Sequence, residues 1–508
     1  MVSRRGFLAG LAVVPLAAGC AARSGAPAHG SATNTSATRP LPIPPLASST
    51  VGADGVRRFN LDIQQGTSEM LPGKHTPTWG YNGSILGPTL RAKRHESVAF
   101  TIRNSLPEPT TVHWHGMHLP ARCDGGPHQT IDVGGSWEPA WTIDQQAAML
   151  WYHPHPHGAT EKHVYRGLSG LFFVDDENTD TLDLPKEYGV DDIPLVIQDR
   201  RFTASGALDE SDPTDVGLLG DTIVVNGIAG AHLEVRTDRV RLRVLNGSSG
   251  RIYNLAFDDH RAFQLIATDG GLLAAPATLR NIQVSPGERV ELVVELRAGE
   301  RIMLRSLPIE QRRDIDRAAA FGFDDTFDIL LLRAGSLEQS APVPDSLNNI
   351  PALVAPGTAP DYTFELKWFM INGRRMDMNR IDMTIPVDST QVWSVRNNDN
   401  WPHNFHVHDV QFQVIDIDGQ APPPALAGWK DTLYTEPQFT YRLAMRFAQH
   451  SDPTYPYMFH CHLLLHEDHG MMGQFLVLAP GQQPAPMRMD MPGMASMPTE
   501  GKHPGHHG

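Results

Sequence analysis

H-C-H-L-L-L-H-E-D-H-G-M-M, running from His460 to Met472, is the stretch from which the rest of the chain can be read. A cysteine stands between two histidines; a third histidine follows five residues after it and a methionine ten after it. Thiolate, imidazole and a distant thioether form the ligand set of a blue-copper electron-transfer site. On a strand side chains alternate, so Cys461 points one way while His460 and His462 point the other. One short segment would thereby serve a copper on one face and further metals on the opposite face, joined by a covalent path. A buried free cysteine beside surface histidines is the plain alternative, and the rest of the histidine pattern weighs against it.

Four His-x-His pairs are present: His113/His115, His153/His155, His406/His408 and His460/His462. Both members of such a pair face the same way on a strand. Eight imidazoles could therefore meet in one cleft and hold three copper ions. Single pairs arise by chance in a chain with 24 histidines. Four pairs at matched positions of a repeat do not.

The repeat is internal and longer than solenoid periods, as in duplicated domains. V-A-F-T-I-R-N ends at Asn104, V-R-L-R-V-L-N at Asn246 and Q-V-W-S-V-R-N at Asn397, each an alternating strand closed by an asparagine turn. His113 and His115 follow Asn104 at the same offsets as His406 and His408 follow Asn397. After Asn246 those offsets give Leu255 and Phe257, so the middle copy lacks the ligands. A second echo, Gly167–Val174 against Gly470–Val477, reads as a glycine turn leading into a strand. Helical periodicity is confined to a segment around Ile309–Ala320. The pattern predicts an all-β chain of three Greek-key β-sandwich domains at 49–180, 181–344 and 345–482.

The 508 residues suit about three domains, and the 45 glycines and 41 prolines suit many turns. A net charge of −15 speaks against nucleic acid as a partner and leaves cations plausible. Residues 1–20 read as an export signal, S-R-R-G-F-L followed by an apolar run too short to span a membrane. This is similar to a twin-arginine signal, which implies a periplasmic or other cell-envelope location, or release outside the cell. Leu16–Cys20 loosely resembles a lipoprotein box, so a lipid anchor on Cys20 and simple cleavage both stand. Residues 21–48 read as a flexible tether, and a monomer is expected. Cys20, Cys123 and Cys461 leave no expected disulfide.

H-W-H-G, W-Y-H-P-H, H-x-x-H-x-H and H-C-H-x-x-x-H-x-x-x-x-M resemble the four copper motifs of the multicopper oxidases, over about residues 50–480. The resemblance is to the three-domain group with copper-efflux oxidase, spore-coat laccase and bilirubin oxidase, and it implies cupredoxin-like domains. It implies about four coppers. His403, Cys461 and His466 would be the type 1 ligands, with Met471 axial and Met472 a core methionine. His113 and His406 would hold the type 2 copper. His115, His153 and His462 would hold one type 3 copper, and His155, His408 and His460 the other. No ligand position is vacant, unlike the copper-free cell-division relative of this group.

The implied reaction takes electrons singly from phenols, aromatic amines or cuprous ion and reduces O2 to water. Acids are needed for its protons, and Asp124 and Glu467 match the family's positions, with Asp468 a weaker candidate. His157, His163 and His469 fall outside the ligand pattern. The donor would approach an exposed edge of His403 or His466, and Trp401 would offer it a stacking surface. The third domain has no methionine-rich insertion of the copper-efflux kind. The tail 483–508 carries closely spaced methionines from Met487 and His503, His506 and His507, soft ligands suited to cuprous ion. A copper-sequestering protein with incidental oxidase activity is the competing reading.

Overall fold

Apolar residues alternate along the strands, and the computed structural model, which describes residues 37–212 and 215–485, folds them into six sheets. In Arg57–Ser68, for example, Phe59, Leu61 and Ile63 are buried while their neighbours face outward. That period of two gives each sheet one apolar face, which must be covered by another sheet. The sheets pair accordingly into three sandwiches, each with its own core.

In the first sandwich Arg57–Ser68 and Ser97–Asn104 run parallel in one sheet. The facing sheet orders Leu90–Lys93, Gly170–Asp175, Ala148–His153 and His113–His115. In the third sandwich Tyr362–Lys367 and Ser389–Asn397 repeat the parallel pair, and the facing sheet contains His403–Val407 beside Tyr457–His460. The middle sandwich has the same build, with Arg239–Asn246 central in its larger sheet. There Leu255 and Phe257, at the offsets where the other copies carry histidine, are core residues with 0% exposure.

The repeated asparagine has one physical role in all three copies. Asn104 Nδ2 donates to the carbonyls of Glu108 and Ile131, and its Oδ1 accepts from Leu106 N–H. Asn246 does the same with Arg251, Val284 and Ser248, and Asn397 with Trp401, Thr435 and Asp399. One buried amide with both donors and its acceptor satisfied thus closes each strand and ties its turn to a distant strand.

Two expectations change. Residues 37–48 are not free tether: Arg39–Pro40 adds a parallel strand to the second sandwich at Ala231 and His232, and Leu41 is buried in its core. The segment around Ile309–Ala320 forms no α-helix. Only the 3₁₀ turn Ala318–Phe321 is helical, entered through Arg317 at φ 57°. Its apolar residues pack instead beside Trp401 and Tyr434 of the third sandwich. Cys20, the paired arginines and the tail beyond residue 485 lie outside the described residues.

Candidate metal centre

Two hydrogen-bonded strand pairs bring the histidines together, with His153 opposite His113 and His406 opposite His460. The first pair belongs to the first sandwich and the second to the third. The facing ends enclose eight imidazoles between them, each at most 1% exposed. His113 stacks on His408 at 3.8 Å between ring centroids, and His115 on His406 at the same distance.

Each ring but one has a nitrogen tied or placed against an oxygen and the other left for the interior. His113 Nδ1 pairs with Asp124 O at 2.9 Å, and His406 Nδ1 with Asp431 O at 2.8 Å. The Nε2 atoms of both are buried without a partner. His408 Nδ1 donates to Asp124 Oδ2 at 2.7 Å, His153 Nδ1 to Pro154 O at 2.8 Å and His460 Nδ1 to Cys461 O at 3.1 Å. His115 is reversed: its Nε2 lies 3.0 Å from Asp431 Oδ1, so Nδ1 faces inward. Such outer bonds fix ring orientation and leave a lone pair for a metal. His462 has no partner on either nitrogen.

The inward atoms converge. His155 Nε2 and His408 Nε2 each lie 3.2 Å from His460 Nε2. His153 Nε2 lies 3.4 Å from His115 Nδ1, with the His462 ring 4.9 Å from that of His115 and 5.2 Å from that of His153. Burial, reinforced by neighbouring imidazoles, holds His115, His153, His155, His406 and His408 well below the ordinary imidazole pKa. His460 is lowered likewise, and His462 falls to about 3. These rings are neutral and can act as ligands. Bare lone pairs packed this closely repel unless a cation lies between them, so the donor set fits bound metal.

A second cluster lies across Cys461. His403 Nδ1 and His466 Nδ1 are 3.1 Å apart, and Cys461 Sγ is 3.8 Å from the first and 3.6 Å from the second. All three residues have 0% exposure, and burial pushes the thiol up to about 12. Soft sulfur with two imidazoles, buried from solvent, fits copper. Met471 is buried in the same core cluster as Cys461, and its carbonyl accepts Cys461 N–H at 3.1 Å. Met472 instead begins the next strand and lines a cavity of about 280 Å³ on the far side.

The strand that carries His460 ends there, so Cys461 and His462 lie on the turn into the helix Leu464–Asp468 rather than on a strand. The opposed directions expected from alternation are produced by this turn. His403 and His466 offer no exposed edge. Trp401 stands 6.3 Å from His466 and Phe369 5.2 Å from it, and Phe321 of the second sandwich packs on Trp401 at 5.4 Å. Trp368, 58% exposed, lies 6.3 Å from Trp401 and is the outermost ring of this cover.

Glu467 sits between the two rings of one histidine set, 3.5 Å from His155 Nδ1 and 3.3 Å from His460 Nδ1, and burial raises its carboxyl well above the usual range. Asp468 accepts Thr160 N–H and Glu161 N–H at 2.8 and 2.9 Å, capping a helix of the first sandwich that has no side-chain cap of its own. His163 pairs with Glu108, His157 is exposed, and exposed His469 stacks on Phe369. Cys123 is a buried thiol beside Asp124. Sequence reasoning missed Asp399, whose carboxylate lies 3.3 Å from His403 Nε2, and Asp431, Asn404 and Arg289, which no histidine spacing marks.

Known proteins resemble this chain along most of its length. Family models described as multicopper oxidase match residues 62–179, 202–305 and 350–481. Multicopper oxidase mco of Staphylococcus haemolyticus is 35% identical over 441 residues, 86% of this chain and 92% of that protein. Cell division protein FtsP of Escherichia coli is 33% identical over 446 residues, 86% of this chain and 93% of that protein. The crystal structure of a laccase from Pediococcus acidilactici superposes with a TM-score of 0.79 at 34% identity, covering 89% of this chain and 95% of that one.

Proposed function

Because this chain belongs to the multicopper oxidase family, whose cofactor is copper, we propose that it couples four one-electron oxidations of a donor to the reduction of O2 to water. Phenols, aromatic amines or cuprous ion would be the donors. One observation carries the reading: eight buried imidazoles lie together between two domains, and two of them, His460 and His462, are joined through the backbone of Cys461 to a separate cluster of that cysteine with His403 and His466.

The residues divide as their positions imply. His403, Cys461, His466 and Met471 would hold the type 1 copper. His113 and His406 would hold the type 2 ion, with His115, His153 and His462 on one type 3 ion and His155, His408 and His460 on the other. Copper supplies the one-electron steps and the O2-reducing centre. The chain provides the rest. Cys461, bonded in sequence to His460 and His462, gives electrons a short covalent route. Glu467, buried beside His155 and His460, would carry protons inward. Asp124 fixes His408 and His113. Donors would dock on Trp401 and Trp368, since the type 1 histidines are covered.

Export by the twin-arginine route to a periplasmic, cell-envelope or extracellular location belongs to the same proposal, with either a lipid anchor on Cys20 or simple cleavage of the signal. The likeness to FtsP, a cell division protein, favours a second reading, a structural protein that keeps the sandwich scaffold. The filled ligand positions favour the oxidase. Copper content and absorption of the oxidised protein test it. About four coppers per chain, a blue visible band and a near-ultraviolet shoulder are expected. One copper or none after full reconstitution refutes it.

A further inference from the structure

The middle sandwich contributes no imidazole to either cluster, yet its turn Ser285-Pro286-Gly287-Glu288-Arg289 stands against both of them. Asn404 Nδ2 donates to Ser285 Oγ at 3.3 Å and to Pro286 O at 2.9 Å. Held this way, Asn404 Oδ1 accepts His462 N–H and faces Cys461 Sγ at 3.5 Å. Gly287, at φ +85°, lies flat against the His462 ring; a Cβ there would stand 3.1 Å from ring atoms.

Arg289 completes the turn, with 0% exposure. Its Nε donates to Met149 O of the first sandwich at 2.9 Å. Nη1 donates to Gly287 O and Nη2 to Asp269 O within the second, at 3.1 and 2.9 Å. The fork then grips Asp431 of the third, with Nη1 2.7 Å from Oδ1 and Nη2 2.6 Å from Oδ2. All five donors of the guanidinium are used, across three sandwiches. Asp431 hands the constraint on: Oδ1 accepts from His115 Nε2 and its carbonyl from His406 Nδ1.

We infer that Arg289 is a positioning residue for the histidine cluster, fixing through Asp431 the reversed orientation of His115 and the setting of His406. The copper-free domain thereby decides which nitrogen of His115 faces the interior. A bidentate fork holds a carboxylate in one plane, and an ammonium, a point charge on a flexible stem, does not. The inference rests on the oxidase reading given above.

The test compares copper-loaded wild type with Arg289→Lys and Arg289→Gln. The blue visible band reports the cluster of His403, Cys461 and His466, which Arg289 does not touch, and serves as the control for folding. The expected result is an unchanged visible band, a weakened near-ultraviolet shoulder, altered hyperfine splitting of the type 2 resonance, and kcat lower by about tenfold or more at unchanged donor KM. Glutamine should be the more severe. A wild-type shoulder, resonance and kcat in Arg289→Lys overturns the inference, as does failure of both variants to fold, which would make Arg289 a structural tie only. If wild type itself lacks the shoulder, the oxidase reading fails instead.

Discussion

Glu161→Gln isolates a buried carboxyl that neither cluster uses. Glu161 is 7% exposed, and its carboxylate accepts Leu218 N–H at 2.8 Å. Burial, opposed in part by that bond and reinforced by the carboxylates of Asp468, Asp212 and Asp199, raises its pKa from 4.5 to about 8. A folded-state pKa above the unfolded value means the folded state holds the proton more tightly. The stability this gives is fully present below 4.5 and is lost as pH rises towards 8. At about 1.4 kcal/mol per pH unit, the loss approaches roughly 4–5 kcal/mol. Glutamine keeps the carbonyl that accepts Leu218 N–H and cannot ionise. The variant and wild type should therefore melt together near pH 4.5, and the variant should melt several degrees higher at pH 8.5. Calorimetry of the copper-loaded proteins at one scan rate across that range measures it. A difference in melting temperature that does not change with pH would refute the reasoning, because it would mean that Glu161 holds its proton no more tightly in the folded state than in the unfolded one.

Three other substitutions separate the roles assigned above. Asp124→Asn removes the charge that accepts His408 Nδ1–H at 2.7 Å, and should lower kcat by about tenfold to a hundredfold while the visible band persists; equal loss of the visible band would contradict it. Trp401→Ala strips a ring from the cover over His466 and should raise KM for a planar phenol by about threefold to tenfold. An unchanged KM would move the docking surface elsewhere. Asn246→Ala leaves the carbonyls of Arg251 and Val284 and the N–H of Ser248 without their partner in a domain without ligands. It should cost about 2–4 kcal/mol of stability with copper content unchanged, read by calorimetry and metal analysis.

The sequence by itself determined the three-fold β plan, because Asn104, Asn246 and Asn397 close equivalent strands and period-two burial is a local property of each strand. It also determined which histidines meet, because each His-x-His pair is short, and pairs at the same place in two copies of one fold arrive at the same end of the sandwich. It could not say that His403 and His466 are covered, since the cover comes from Phe369 in one domain and, through Trp401, from Phe321 in another. Nor could it find that Arg39–Pro40 joins a sheet of the second sandwich, or that Asp468 caps a helix in the first. The tertiary structure alone joined Arg289 to Asp431 across 142 residues, and Asp431 to His115 across 316. Candidate ligands are legible because a metal demands particular side chains at short spacing. The groups that orient them need only a donor or an acceptor at the right point in space, and any strand of any domain can bring one there.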